Sequence, residues 1–234
     1  MNKGIYIALS GAVLKNRNLD VFAQNIANAN TSGYKKERMS FKDFIIPVDN
    51  RTDFTKDGRV MADLSQNITD FTNGAISHTG NSLDLSINGE GFFTLEDGRY
   101  TRNGSFMIDS DGYIVTGSGV KVLGEGGPIA VQGDSIDISS SGDVIVDDIA
   151  VGKLKIVDFP DKGVLKKLSG SMFATEESGE TVNARVSQGF LEESNVNVIQ
   201  EMIQLMASQR EFESYQKMIH AFDEASSKTI NEMG

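Results

Sequence analysis

Apolar residues recur every three or four positions along the last forty residues of the chain: Val198, Met202, Leu205, Phe212, Tyr215, Ile219 and Phe222, with Ser208 in the same row. A period of about 3.5 residues is that of a helix packed lengthwise against another helix. The stretch has no Pro, and no Gly before Gly234. Asn197 followed three residues later by Gln200 has the form of a capping box, so the pattern predicts a helix beginning near Val198. Glu213 with Lys217 and Glu224 with Lys228 are acid-first pairs one turn apart, the better orientation. Run to Glu232, this helix is about 50 Å long, too long to bury its stripe on itself.

A second helical pattern covers residues 3–28. Ile5, Ala12, Leu19 and Ile26 recur every seven residues, with Ala8, Leu9, Phe22 and Ala23 beside them. Its stripe is smaller-sided and allows close approach. Gly4 and Gly11 each lower intrinsic helicity by roughly 1 kcal/mol relative to Ala, so this helix needs a partner. It ends in Asn25, Asn28, Asn30, Thr31, Ser32 and Gly33, residues that tolerate left-handed backbone or satisfy loose turn groups. Lys35, Lys36 and Arg38 follow and read as a solvated basic turn, with a specific anion site as the alternative.

Between the helices the pattern is that of strands. Phe41–Pro47 is a short apolar segment, a strand or a tether, and residues 49–82 read as loop with one or two strands around the turn signals Asp57-Gly58 and Asn73-Gly74. From Asn81 to about Thr175 short apolar runs recur at intervals of about ten residues. Leu83, Leu85 and Ile87 alternate with Asp84 and Ser86, and Glu96-Asp97-Gly98 and Asp109–Gly112 each sit between two such runs as hairpin turns. No helix-period segment intervenes, which implies a small sandwich or barrel, not a parallel sheet. Residues 176–190 read as a polar return to the final helix. The expected fold is therefore α+β: N- and C-terminal helices packed as a coiled coil, with an inserted all-β domain. The expected domains are 1–35 with 190–234 for the helices, 36–80 for a linker, and 81–189 for the β part.

Composition sharpens this division. Twenty of the 24 glycines lie between residues 51 and 190. The net charge of −11 divides into +3 over residues 1–50, −9 over 51–190 and −5 over 191–234. An acidic chain is a poor general partner for nucleic acid. The absence of cysteine excludes disulfides, thiolate metal sites and cysteine nucleophiles. The first residues have neither the apolar run of a signal peptide nor that of a membrane span.

Candidate catalytic patterns are thin. Asp109-x-Asp111-Gly112 opens like a calcium loop, but Tyr113 and Val120 stand where further ligands are needed, and a turn is the better reading. Gly89-Glu90-Gly91 and Gly124–Gly127 open no helix, so they do not suggest phosphate binding. Gly117-Ser118-Gly119 lacks the nucleophile-elbow spacing. With only His78 and His220, zinc sites and triads find no material. No catalytic residue, metal or cofactor is expected. A secreted glycan-binding or hydrolytic β domain with helical appendages is the alternative. It would require a convergent carboxylate pair, although the chain has no Trp for sugar stacking.

Three stretches together resemble one family. VFAQNIANANTSGYKK (Val21–Lys36) is similar to the Asn-rich N-terminal motif of bacterial flagellar axial proteins, and QGFLEESNVNVIQEMIQLMASQREFESYQK (Gln188–Lys217) to their C-terminal motif. Gly80–Ile129 resembles the core shared by rod and hook proteins. The short length and the run VLGEGGPI most resemble proximal-rod members, with distal-rod members next. Gln24 and Asn197 stand where the family often has Asn and Asp. The resemblance implies a non-enzymatic structural subunit of the periplasmic rod. Such a subunit would be exported by the flagellar type III apparatus without a cleaved signal and would assemble helically with itself and with other rod proteins. It implies an assembly interface in the terminal segments. In the first this comprises Ile5, Leu9, Ala12, Leu19, Phe22, Asn25, Ile26, Asn28, Asn30, Gly33 and Tyr34. In the second it comprises Val198, Met202, Leu205, Gln209, Arg210, Phe212, Tyr215, Ile219 and Phe222.

Overall fold

The computed structural model describes residues 2–46, 59–133, 135–168 and 171–233. The chain is α+β. Helices α1 (Asn2–Ala27) and α2 (Val198–Met233) stand at the two ends of the sequence, and the strands lie between them. Both helices begin and end within one residue of the stretches that apolar spacing marks out. The chain divides into two compact units. One comprises Met1–Ala27, Glu37–Ile68 and Asn197–Gly234, and the other Asn28–Lys36 and Thr69–Val196.

In the first unit α1 runs antiparallel to α2. Gly4 faces Phe222, Gly11 faces Tyr215, Lys15 ion-pairs with Glu211, and Asn25 bonds to Glu201. Seven residues separate Gly4 from Gly11, and seven separate Tyr215 from Phe222, so the register is constant along the seam. The glycines serve this packing. A Cβ at Gly11 would stand 2.6 Å from the Tyr215 ring and one at Gly4 2.7 Å from the Phe222 ring, both inside van der Waals contact. At the start of α2, the Asn197 Oδ1 accepts from the Gln200 backbone N–H at 3.1 Å, which satisfies one of the free donors there. The Phe41–Pro47 run falls mainly in strand Glu37–Ile46, which pairs with Arg59–Thr69. The Asp57-Gly58 turn lies outside the described residues.

The second unit is built on antiparallel pairing. Its widest sheet has six strands in the order Lys166–Lys167, Met172–Ala174, Arg99–Thr101, Phe92–Thr94, Ile156–Asp158 and Glu180–Thr181. The adjacent pairs Phe92-Phe93 and Ile156-Val157 explain why its central strands show no alternation in sequence. Successive strand residues point to opposite faces. Phe93 and Ile156 join a core with Leu85, Leu95, Phe106 and Val144. Phe92 and Val157 join another with Phe159, Leu165 and Phe173. In the second, the Phe92 and Phe173 rings meet at 5.6 Å and Phe71 leans on Phe173 at 5.3 Å. The sheet is thus packed on both faces.

One expectation is corrected. The polar return over residues 176–190 contains strands Glu180–Thr181 and Arg185–Gln188, and Phe190–Glu192 follows. Only Val186 of Arg185–Gln188 is fully buried, so its apolar signal is a single residue. The Gln188 amide adds order there by donating to Ser82 O and Ile136 O at 2.9 and 2.8 Å. Gly189, at φ +80°, turns the chain between two strands and does not introduce the helix. A hairpin that carries no glycine signal lies at Asp147 and Asp148. They form a tight turn without glycine, both in left-handed backbone at φ 49° and 64°, and connect strands Asp143–Val146 and Ile149–Lys153. The Asp109 motif is a turn: its Oδ1 accepts from the backbone N–H groups of Asp111 and Tyr113.

Candidate assembly surface

The seam buries a row of mixed character. Ala8 and Ala12 of α1 are buried, and Ile5, Leu19, Phe22 and Ile26 are half-buried. From α2, Leu205, Phe212, Tyr215, Ile219 and Phe222 are half-buried and Ser208 is buried. The first turn of α2 departs from the expected row. Val198 and Met202 are exposed, and Glu201 takes the inward position. The reason lies across the seam. The Asn25 side chain, buried at the end of α1, bonds the backbone N–H and C=O of Glu37 and donates to Glu201 Oε2 at 3.2 Å. A buried amide needs polar partners, so the seam there is polar. Leu9 likewise points outward, and Ala8 faces the seam in its place.

Each helix carries an apolar patch on its outward face within its first turns. On α1, Tyr6, Leu9 and Val13 lie on one side with Ile7 beside them. On α2, Ile199, Met202, Ile203 and Met206 lie on one side. Ile199 is 73% exposed and Ile7 63%. Single exposed apolar residues are ordinary, but contiguous ones mark a surface that something covers. Gln209 and Arg210 are exposed on α2, and Gln209 donates to Glu213 at 3.4 Å.

The remaining candidate residues lie in the other unit. Asn28 Oδ1 accepts from the Thr31 hydroxyl, and Asn30 is exposed beside a cavity of about 310 Å³ lined also by Ser77, Thr79 and Leu191. Gly33 and Tyr34 are buried. Gly33, at φ +65°, donates its N–H to Glu192 O at 2.7 Å, and a Cβ on it would strike the Arg102 backbone. Tyr34 lies under the Lys167 ammonium, 3.5 Å from its ring.

Lys35 overturns the solvated-turn reading. Its ammonium is buried and reaches Glu192 Oε1 at 2.6 Å and Thr72 O at 2.9 Å. Arg102 grips the other Glu192 oxygen at 2.7 Å and caps the carbonyls of Gly89 and Gly91. Burial is the largest influence on Lys35 and lowers its pKa, and Arg102 adds to the lowering while Glu192 opposes it. Burial alone would raise the Glu192 pKa, but Arg102, Lys35 and the Gly74 N–H together hold it below the usual range. An adjacent clamp is formed by Asn195. Its Oδ1 accepts from the Lys36 N–H, and its amide donates to Asp70 O and Thr72 O. Sequence reasoning missed this cluster, since Lys35, Arg102 and Glu192 carry no spacing signal across so many intervening residues.

The hydrolytic alternative required a convergent pair of buried carboxylates. Among the described residues the buried carboxylates are Asp84, Glu192 and Glu201; Glu192 is held by two cations, and Glu201, in the other unit, by an amide. Among the described residues, no group of three or more His, Cys, Asp or Glu could hold a metal. His78 packs its ring on Phe190 at 4.8 Å.

Long terminal helices that carry outward apolar patches, at the two ends of a sequence whose middle is an antiparallel β unit, are the features of a structural assembly protein. Three family models match in chain order. These are a flagella basal body rod protein model over residues 5–35, a flagellar hook protein FlgE/F/G D1 domain model over 86–146, and a flagellar basal body rod FlgEFG protein C-terminal model over 187–232. The chain is 33% identical to the flagellar basal-body rod protein FlgG of Bacillus subtilis, over 99% of each chain. It is 32% identical to the FlgF protein of Caulobacter vibrioides, over 100% of this chain and 99% of the relative. The chain belongs to the flagellar basal-body rod protein family, FlgF/FlgG.

Proposed function

We propose that this rod subunit assembles helically, with copies of itself and with proximal and distal rod proteins, through α1 and α2 packed as a coiled coil. In this reading the helices form the inner wall of the periplasmic drive shaft. The chain catalyses nothing and reaches its place through the flagellar type III export apparatus. The supporting observation is the pair of outward apolar patches on two helices whose seam is already filled. Burying such area contributes about 25 cal/mol per Å² before ordering costs. Close-packed helices resist compression and so suit a shaft under torque.

The test is Ile203→Asp on the outer face of α2. Motility and incorporation into basal bodies should be lost while the purified chain keeps its helix content. Normal incorporation would refute the reading. Leu205→Asp, within the seam, should instead lower helix content in the isolated chain. Proximal and distal placement separate by labelling the subunit in intact basal bodies.

A further inference from the structure

Three Asn-Gly pairs occur in the chain, Asn73-Gly74, Asn88-Gly89 and Asn103-Gly104, and all lie in the β unit. The pair is chemically reactive. The backbone nitrogen that follows an asparagine can attack the side-chain carbonyl carbon, and glycine, without a Cβ, leaves that approach open. The fold treats the three pairs differently. The Gly74 N–H donates to Glu192 Oε1 at 2.9 Å, and Asn73 Oδ1 accepts from Arg102 Nη2 at 3.3 Å. The nucleophile there is already bound to a carboxylate, and freeing it slows attack by about tenfold or more. Gly104 is buried, with the Leu85 carbonyl oxygen 1.7 Å from where a Cβ would stand. Its own carbonyl accepts from the Leu85 N–H at 3.0 Å, and Asn103 Oδ1 accepts from the Ser105 N–H at 3.0 Å. Asn88 and Gly89, in contrast, are both exposed at the end of strand Leu85–Asn88. Among the described residues the Gly89 N–H donates to no protein group, and nothing lies within 4 Å of the place a Cβ would take.

We propose that Asn88 is a site of spontaneous covalent modification, a deamidation whose effect reaches the buried ion cluster through Arg102. The Gly89 nitrogen forms a bond to Asn88 Cγ. The Cγ–Nδ2 bond breaks, and ammonia leaves, taking up the Gly89 proton by way of solvent. Water then adds to either carbonyl of the cyclic imide and opens it to aspartate or isoaspartate. The two products differ in consequence. Aspartate leaves the main chain as it is. Its carboxylate takes the place of the amide that now donates to Ser187 Oγ at 2.7 Å, accepts from that hydroxyl, and stands opposite Arg185 on the paired strand. Isoaspartate inserts a methylene into the main chain just before Gly89. The Gly89 carbonyl accepts from Arg102 Nη2 at 2.6 Å, and Arg102 in turn holds Glu192. Displacing that carbonyl loosens the guanidinium on which the Lys35–Glu192–Arg102 cluster depends.

The test ages the full-length chain in mildly alkaline buffer, with and without urea, and maps its peptides by mass spectrometry. In the folded chain, conversion at Asn88 should exceed that at Asn73 and at Asn103 by about tenfold or more, and urea should bring the three sites together. Comparable conversion at all three in the folded chain, or faster conversion at Asn73 or Asn103, would overturn the assignment. Methylation by an isoaspartate-specific carboxyl methyltransferase measures the isoaspartyl share. As that share rises, the urea midpoint of the β-sheet signal should fall below that of Asn88→Asp, which should match the parent. Equal midpoints for the aged chain and Asn88→Asp would overturn the link to Arg102.

Discussion

The two units are held together by different means. The β unit buries whole phenylalanines on both faces of a sheet and encloses an ion cluster in which Glu192 satisfies two cations. Most of its large apolar side chains are buried inside it, although Ile149, Met107 and Ile76 turn outward. The helix pair buries small residues, half-covered aromatics and an Asn–Glu bond, and it turns Ile, Met and Tyr outward. One unit is complete as a fold, and the other has a finished seam and an unfinished exterior. The difference teaches that the contacts that hold each unit together and the apolar patches proposed for assembly are separate surfaces, which substitution can separate.

The largest effect should come from Glu192→Ala, which strands two buried cations. We expect a loss of about 3–5 kcal/mol, read as a lower urea midpoint for loss of the β-sheet signal. Lys35→Met should cost distinctly less, because Arg102 still satisfies Glu192 and a cation disfavoured by burial is removed. Equal losses would show that the cluster does not depend on Glu192 as its centre.

Gly11→Ala comes next and tests the seam. Intrinsic helicity should improve by about 1 kcal/mol. The new Cβ, however, enters the Tyr215 ring, and such overpacking costs about 1–3 kcal/mol. The expected outcome is lower thermal stability of the helical signal, restored in Gly11→Ala/Tyr215→Leu. A stabilised single variant would show that the ring does not sit on Gly11.

Acid should act through Glu192. Its pKa is depressed in the folded chain, so the stability it contributes is present above the ordinary Glu value of about 4.3 and is lost as pH falls through the depressed value. Glu192→Gln should flatten that acid limb, as measured by urea midpoints across pH. The smallest effect on stability belongs to the outer face. Ile199→Ser should fall within about 0.5 kcal/mol of the parent in thermal melts while reducing incorporation into basal bodies.

Both helices were legible from spacing alone, because a two-sided helix must repeat its apolar residues near 3.5. The inward face was less legible. Val198 and Met202 continue the row in sequence, but the buried Asn25 amide draws Glu201 inward and rotates them out. Of the two residues that spacing sets beside the stripe there, the seam takes Ala8, small enough for close approach, and Leu9 turns outward. In the β unit, hairpins with Gly at the turn were readable and the Asp147-Asp148 hairpin was not. Arg185–Gln188 was hidden because one buried Val anchors it. Lys35 shows the deepest limit. A basic run beyond a helix reads as solvated until the fold brings Glu192 to it.

The paired glycines and rings of the seam also govern sliding. If α2 slipped along α1 by one turn, about 5.4 Å, Tyr215 and Phe222 would leave their glycine notches and meet positions that carry side chains. A slip of seven residues in either direction could return only one ring to a notch: Tyr215 on Gly4 with Phe222 beyond the start of α1, or Phe222 on Gly11 with Tyr215 against Asn18. The seam therefore has a single seated position, like a ratchet with two teeth, and axial load on one helix passes to the other without creep.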